Sequence, residues 1–225
     1  NNSSMIDFAL GDIDIISPAT SYTLDSKVTK RNLTKYRRLS EWDSLYLIVV
    51  YVIYTSQLPN LSRLDKLKQV VEWMITEFRL SLVGVTFAAI YFSETPMKRM
   101  MKYKVSDEPC SKQRSAFNMT WDLYNLNRFF RMWTDRDSEQ EGMFASGDKV
   151  FNAVLRKAIK VQQTSCLDCF EDFLPQAVVS YLEKITSQPS EYFDRVYDSV
   201  DWSPSYRAEL ISKYESLTGI KRSGT

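Results

Sequence analysis

The run Leu45 to Tyr54 (LYLIVVYVIY) constrains this chain more than any other stretch. An unbroken series of apolar and aromatic side chains is stable only where every face of the element is withdrawn from water. Crossing a bilayer takes roughly 18 to 20 such residues, so this shorter run belongs in a protein core. Its β-branched content suits a strand. The preceding stretch from Asn32 to Trp42 lacks breakers, however, so the run can also continue it as a buried helix, and helix is the preferred reading.

With 225 residues, 44% of them hydrophobic, the chain can bury one sizeable core plus an extension. Its 29 basic and 28 acidic residues nearly cancel. No global field therefore draws it to nucleic acid, and binding of that kind must use a local patch. Histidine is absent, which removes the usual base at neutral pH and the commonest zinc ligand. Chemistry must then rest on carboxylates, lysine or a metal. Three cysteines are too few for a disulfide framework. The Cys166-Leu167-Asp168-Cys169 spacing has no second pair or histidine to complete a zinc site and reads as free thiols. The start of the chain has no basic segment followed by an apolar stretch, so a cytoplasmic location without membrane insertion is expected.

Polar punctuation divides the chain into alternating elements. Ser21 to Leu24 reads as a short strand ending at Asp25. Past Pro59, apolar positions Leu64, Leu67, Val70, Val71, Met74, Ile75 and Phe78 form the stripe of an amphipathic helix. Leu80 to Val85 reads as a strand, with Thr86 capping a helix over Phe87 to Ser93 that carries Glu94 at its end. Asn118 to Trp133 reads as a helix with Leu123, Leu126, Phe129, Phe130 and Trp133 on one face and Asp122 in its first turn. Met143 to Ala145 reads as a strand. Ser146-Gly147-Asp148 then turns the chain into a helix with apolar positions Val150, Phe151, Val154, Leu155, Ala158 and Ile159. Pro175 and Ser203-Pro204 suit helix starts. The alternation predicts an α/β fold, a mostly parallel sheet flanked by helices, with sites beyond the C-terminal strand ends.

Several carboxylates converging at such a sheet end repel one another and raise one another's pKa unless a cation neutralises them. An all-oxygen set suits magnesium or manganese, ions that support phosphodiester cleavage without histidine. Each acid also has an ordinary structural explanation: Asp25 as a turn residue, Asp148 as an N-cap, Asp122 as a partner of a helix dipole, Glu94 as a solvated helix residue. Two basic runs follow proposed ligands: Lys27, Lys30, Arg31, Lys35, Arg37 and Arg38 after Asp25, and Lys98, Arg99, Lys102 and Lys104 after Glu94. Both suit a phosphate backbone or a solvated helix face.

Tyr22-Thr23-Leu24-Asp25-Ser26, the helix-borne Glu94, the Asn118 to Asp122 segment and Phe144-Ala145-Ser146-Gly147-Asp148 together resemble the four acidic motifs of PIN-domain nucleases, over about residues 20 to 160. The resemblance implies a Rossmann-like sheet and a metal-dependent endoribonuclease whose Asp25, Glu94, Asp122 and Asp148 hold Mg or Mn. Ser146 would support the fourth acid, Lys27 would perturb the metal or contact phosphate, and the second basic run offers Lys98 and Arg99 as contacts for the RNA substrate. Lys27 departs from the family pattern, which has asparagine at that place. The long interval from Asp25 to Glu94 leaves Glu72 or Glu77 as alternatives for the second acid. The implied organisation is an N-terminal segment over 1–19, a PIN-like domain over 20–163 and a helical C-terminal extension over 164–225. A second reading is a catalytically inactive α/β module that binds RNA or a protein partner, or forms a homo-oligomer, through its basic and aromatic surfaces.

Overall fold

The computed structural model describes residues 40–94, 97, 100–135, 146–187 and 204–221. The chain divides into two units, Asn1–Arg38 and Leu39–Thr225, and the second holds every described residue. Among these residues are seven α-helices and one 3-10 turn. The helices are α1 (Ser40–Ser56), α2 (Arg63–Thr76), α3 (Leu82–Phe92), α4 (Pro109–Thr134), α5 (Lys149–Thr164), α6 (Gln176–Thr186) and α7 (Pro204–Thr218), with the turn Asp168–Phe170 between α5 and α6.

The apolar run forms α1, and every residue from Trp42 to Ile53 is buried. A helix apolar on all sides is stable only when surrounded. Here α7 and α4 pack most extensively against α1, and α2 and α3 also contact it. Aromatic rings fill both flanks. Trp42 stacks on Tyr46 at 5.1 Å between centroids and meets Phe117 of α4 edge-on at 5.1 Å. Farther along α1, Tyr51 stacks on Trp73 of α2 at 3.9 Å, with Tyr214 of α7 edge-on to Tyr51 at 4.8 Å. The Tyr46 hydroxyl donates to Glu215 Oε1 at 2.7 Å, so α7 is held by a buried polar contact as well as by rings.

The outer helices need only one apolar face. In α2 this face is Leu67, Val70, Val71, Trp73 and Met74, and the helix begins at Ser62, whose Oγ accepts from the Asp65 amide at 3.1 Å. The face of α5 centres on Val154, Leu155 and Ala158, and that of α6 on Val178, Val179 and Leu182. Pro175 and Pro204 stand at the starts of α6 and α7, where a missing amide donor costs nothing.

The expected α/β fold with a Rossmann-like, mostly parallel sheet is overturned: among the described residues the structure is helical and contains no strand. Leu80 to Val85, expected as a strand, instead leads into α3. Ser81 caps that helix by accepting from the Gly84 amide at 3.2 Å, and Thr86 lies inside it, its hydroxyl donating to the Leu82 carbonyl. The physical reason is burial: α3 is buried from Val83 to Ile90, so its sequence shows no 3.6-residue stripe to separate it from a strand. The expected strands at 21–24 and 143–145 lie outside the described residues. Among the described residues no helix is long and apolar enough to cross a membrane.

Close approach of α3 to α1 and α2 depends on Gly84. A Cβ there would stand 3.1 Å from both Ile48 Cδ1 and Met74 Cε. A Gly84→Val substitution overpacks this crossing and should cost about 1–3 kcal/mol. Gly147→Ala, where a Cβ meets nothing within 4 Å, should leave the denaturant midpoint unchanged. Urea titration of the two variants checks the contrast, and an unchanged midpoint for Gly84→Val would refute the packing argument.

Candidate functional site

Three helices bring two of the proposed acids together. Asp122 stands in the middle of α4, not in a first turn, because that helix begins at Pro109 rather than near Asn118. Asp148 is the N-cap of α5, and its Oδ1 accepts from the amides of Val150 at 2.8 Å and Phe151 at 3.0 Å. Ser146 Oγ accepts from the Asp148 amide at 3.1 Å, which fixes the turn presenting the carboxylate. The cap reading of Asp148 is therefore correct. It leaves acceptor capacity on the carboxylate, which has about four lone-pair sites.

Asp122 and Asp148 line one cavity of about 80 Å³. Its wall is apolar, with Phe87 from α3, Leu123 and Leu126 from α4, Val150, Phe151 and Val154 from α5, and Met100. Lys102, Ser115 and Asn118 complete its polar part. Although Asp122 is exposed as a residue, its carboxyl is held above the ordinary aspartate value. Shielding by the surrounding walls is the larger cause and the Asp148 charge the next, while Lys102 acts in the opposite direction.

The other assignments separate from this pair. Glu94 lies exposed just past α3 and does not line the cavity. Glu72 accepts a hydrogen bond from the Tyr181 hydroxyl of α6, and Glu77 is the C-cap of α2. Neither alternative second acid lines the cavity with Asp122. Asp25, Lys27, Lys98 and Arg99 lie outside the described residues. Lys102 belongs to the basic run that follows Glu94, and the cavity shows which acids it faces. The thiols are free, with Cys110 exposed and Cys169 buried.

Two carboxylates lining one cavity, where the Asp148 charge adds to the rise in the Asp122 pKa, are a fitting donor pair for a hard divalent ion that keeps most of its waters. Among the described residues no group of three or more metal-ligating side chains gathers, so the pair supplies part of a coordination sphere and not a closed cage. Compared with protein-family models, with curated proteins and with solved structures, the chain gives no match.

Because the native state holds the Asp122 proton more tightly than the unfolded chain, that group's contribution to stability is full below the ordinary aspartate value. It is lost as pH rises through the elevated one. Asp122→Asn should therefore gain stability relative to the wild type across that window. Asp148→Asn keeps a capping side chain and should lower the Asp122 midpoint, whereas Asp148→Ala should cost about 1 kcal/mol through the lost cap. Carboxyl NMR titration and denaturation at several pH values check these outcomes, and an Asp122 midpoint indifferent to Asp148→Asn would disprove the coupling.

Proposed function

We propose that this protein is a metal-dependent endoribonuclease in which Asp122 and Asp148 are the carboxylates that hold Mg or Mn. The observation that carries the reading is the meeting of these two acids, distant in sequence, at one cavity where the charge of one raises the proton affinity of the other. The proposal stands on this pair and on the acidic motifs, not on the sheet that the family resemblance implied.

A bound divalent ion would activate water and neutralise charge on a phosphodiester. The residues have separable tasks. Asp148 is rigid because two backbone amides and the Ser146 turn fix it. Asp122 sits on an uninterrupted helix, so its position relative to Asp148 is set by the packing of α4 on α5. Its raised proton affinity gives it the capacity to take a proton from an attacking water as well as to bind a cation. Lys102 offers a positive charge beside the pair, suited to a phosphate oxygen. Glu94, exposed and outside the cavity, takes no part in the proposal.

A second reading, a non-catalytic interaction module, draws on apolar side chains exposed on α4: Trp121 at 40% and Met132 at 59%. The two readings separate on metal. Single-stranded RNA incubated with manganese should be cleaved by the wild type. Cleavage should fall by at least about a hundredfold, on the order of 3 kcal/mol in the barrier, in Asp122→Asn and in Asp148→Asn, with helicity unchanged by circular dichroism. Manganese should also raise the wild-type melting temperature but not that of the double variant. RNA left intact, together with a melting temperature unmoved by manganese, would leave the interaction module standing.

A further inference from the structure

A second cleft adjoins the carboxylate cavity, and its chemistry is opposite. Met100 lines both, so the two depressions meet at one buried residue. The second cleft, of about 290 Å³, presents Arg63 and Lys66 from α2 together with Tyr91 and Phe92 from the end of α3 and Met101.

Both cations are fixed by backbone carbonyls and not by carboxylates. Arg63 Nε donates to the Ser93 carbonyl at 2.9 Å and Nη2 to the Tyr91 carbonyl at 2.7 Å, so the guanidinium caps the C-terminal end of α3. Lys66 Nζ donates to the Ser56 carbonyl at 2.8 Å and does the same for α1. A guanidinium has five N–H donors and an ammonium three, so these contacts leave donors on each. Helix-end carbonyls orient a cation and offset only part of its charge through the helix dipole, whereas a carboxylate would cancel it. Among the described residues the ion pairs are Lys68–Asp65, Arg131–Glu41 and Lys157–Asp172, and neither Arg63 nor Lys66 takes part in one.

Two pre-oriented positive charges in a cleft that shares Met100 with the carboxylate cavity match a polyanion that must pass both. The cations suit phosphates, and the Tyr91 ring and the methionines offer surface to a base. Resting on the ribonuclease reading for the identity of the ligand, we infer that the Arg63–Lys66 cleft binds the backbone phosphates of single-stranded RNA next to the scissile position. The carboxylate cavity is then the cutting site and this cleft the positioning site.

The test separates binding from cleavage. Anisotropy of a fluorescein-labelled single-stranded oligoribonucleotide is followed over a salt series in metal-free buffer with wild type, Lys66→Gln, Arg63→Gln and Asp148→Asn. Glutamine retains a donor for the helix-end carbonyls, and melting curves verify folding. Each cation removed should flatten the slope of log affinity against log salt by about 0.7 and weaken binding at low salt, while Asp148→Asn should bind no more weakly than wild type. If Arg63→Gln fails to fold, Lys66→Gln and the charge reversal Lys66→Glu decide. Wild-type affinity and slope in the Lys66 variants would overturn the inference. Weakened binding in those variants with no manganese-dependent cleavage by any sample would support the cleft and remove the nuclease. Cleavage by wild type with an unchanged KM in Lys66→Gln would do the reverse.

Discussion

Withdrawing α1 from water on every side is the constraint from which the rest of the described structure follows. No single neighbour can cover such a helix, so α2, α3, α4 and α7 all contact it. Burying a large aliphatic or aromatic side chain is worth about 1.5–3 kcal/mol relative to exposure, and α1 contributes an uninterrupted series of them from Leu45 to Ile53. The demand passes outward. Because α3 is buried almost as fully, α5 must cover it in turn, and the packing of α4 and α5 around α3 places Asp122 and Asp148 at a common cavity. Core packing thus brings the two acids together, and the segment between α3 and α4 adds Met100 and Lys102.

What the sequence revealed followed from how each element is exposed. Helices with one wet face announce themselves: the stripe from Leu64 to Phe78 corresponds to α2, and the Asp148 turn followed by paired apolar positions corresponds to α5. For α1, the absence of breakers was enough to prefer a helix. The same reasoning failed at α3, where Val83 and Val85 suggested a strand, and with it the sheet was lost as a fold. Periodicity carries no information about an element with no solvent face. At α4 the early turns, Pro109 to Phe117, have few apolar residues, so the apolar stripe starts later than the helix and points to a first turn for Asp122 that it does not occupy.

The site was legible in part for a related reason. Residue type and local context pointed to Asp122 and Asp148, but only tertiary packing shows that they face one cavity and that Lys102 joins them. Arg63 and Lys66 had no signal at all, since a cation that caps a distant helix end looks in sequence like any residue of a solvated face. Asp148 serves two ends at once. The same carboxylate that opens α5 raises the proton affinity of Asp122, so stability and site chemistry draw on one side chain, and asparagine separates them by retaining the cap while discarding the charge.

The buried hydrogen bond between Tyr46 and Glu215 joins partners 169 positions apart. A contact that spans so much chain closes late, after the loop entropy of everything between has been overcome. During synthesis from the N-terminal side, α1 emerges long before α7 does, and one flank of its aromatic surface stays uncovered throughout that interval. The nascent chain therefore carries a sticky, unfinished core while most of its length is being made, which is the condition under which holding chaperones matter and premature termination yields aggregates.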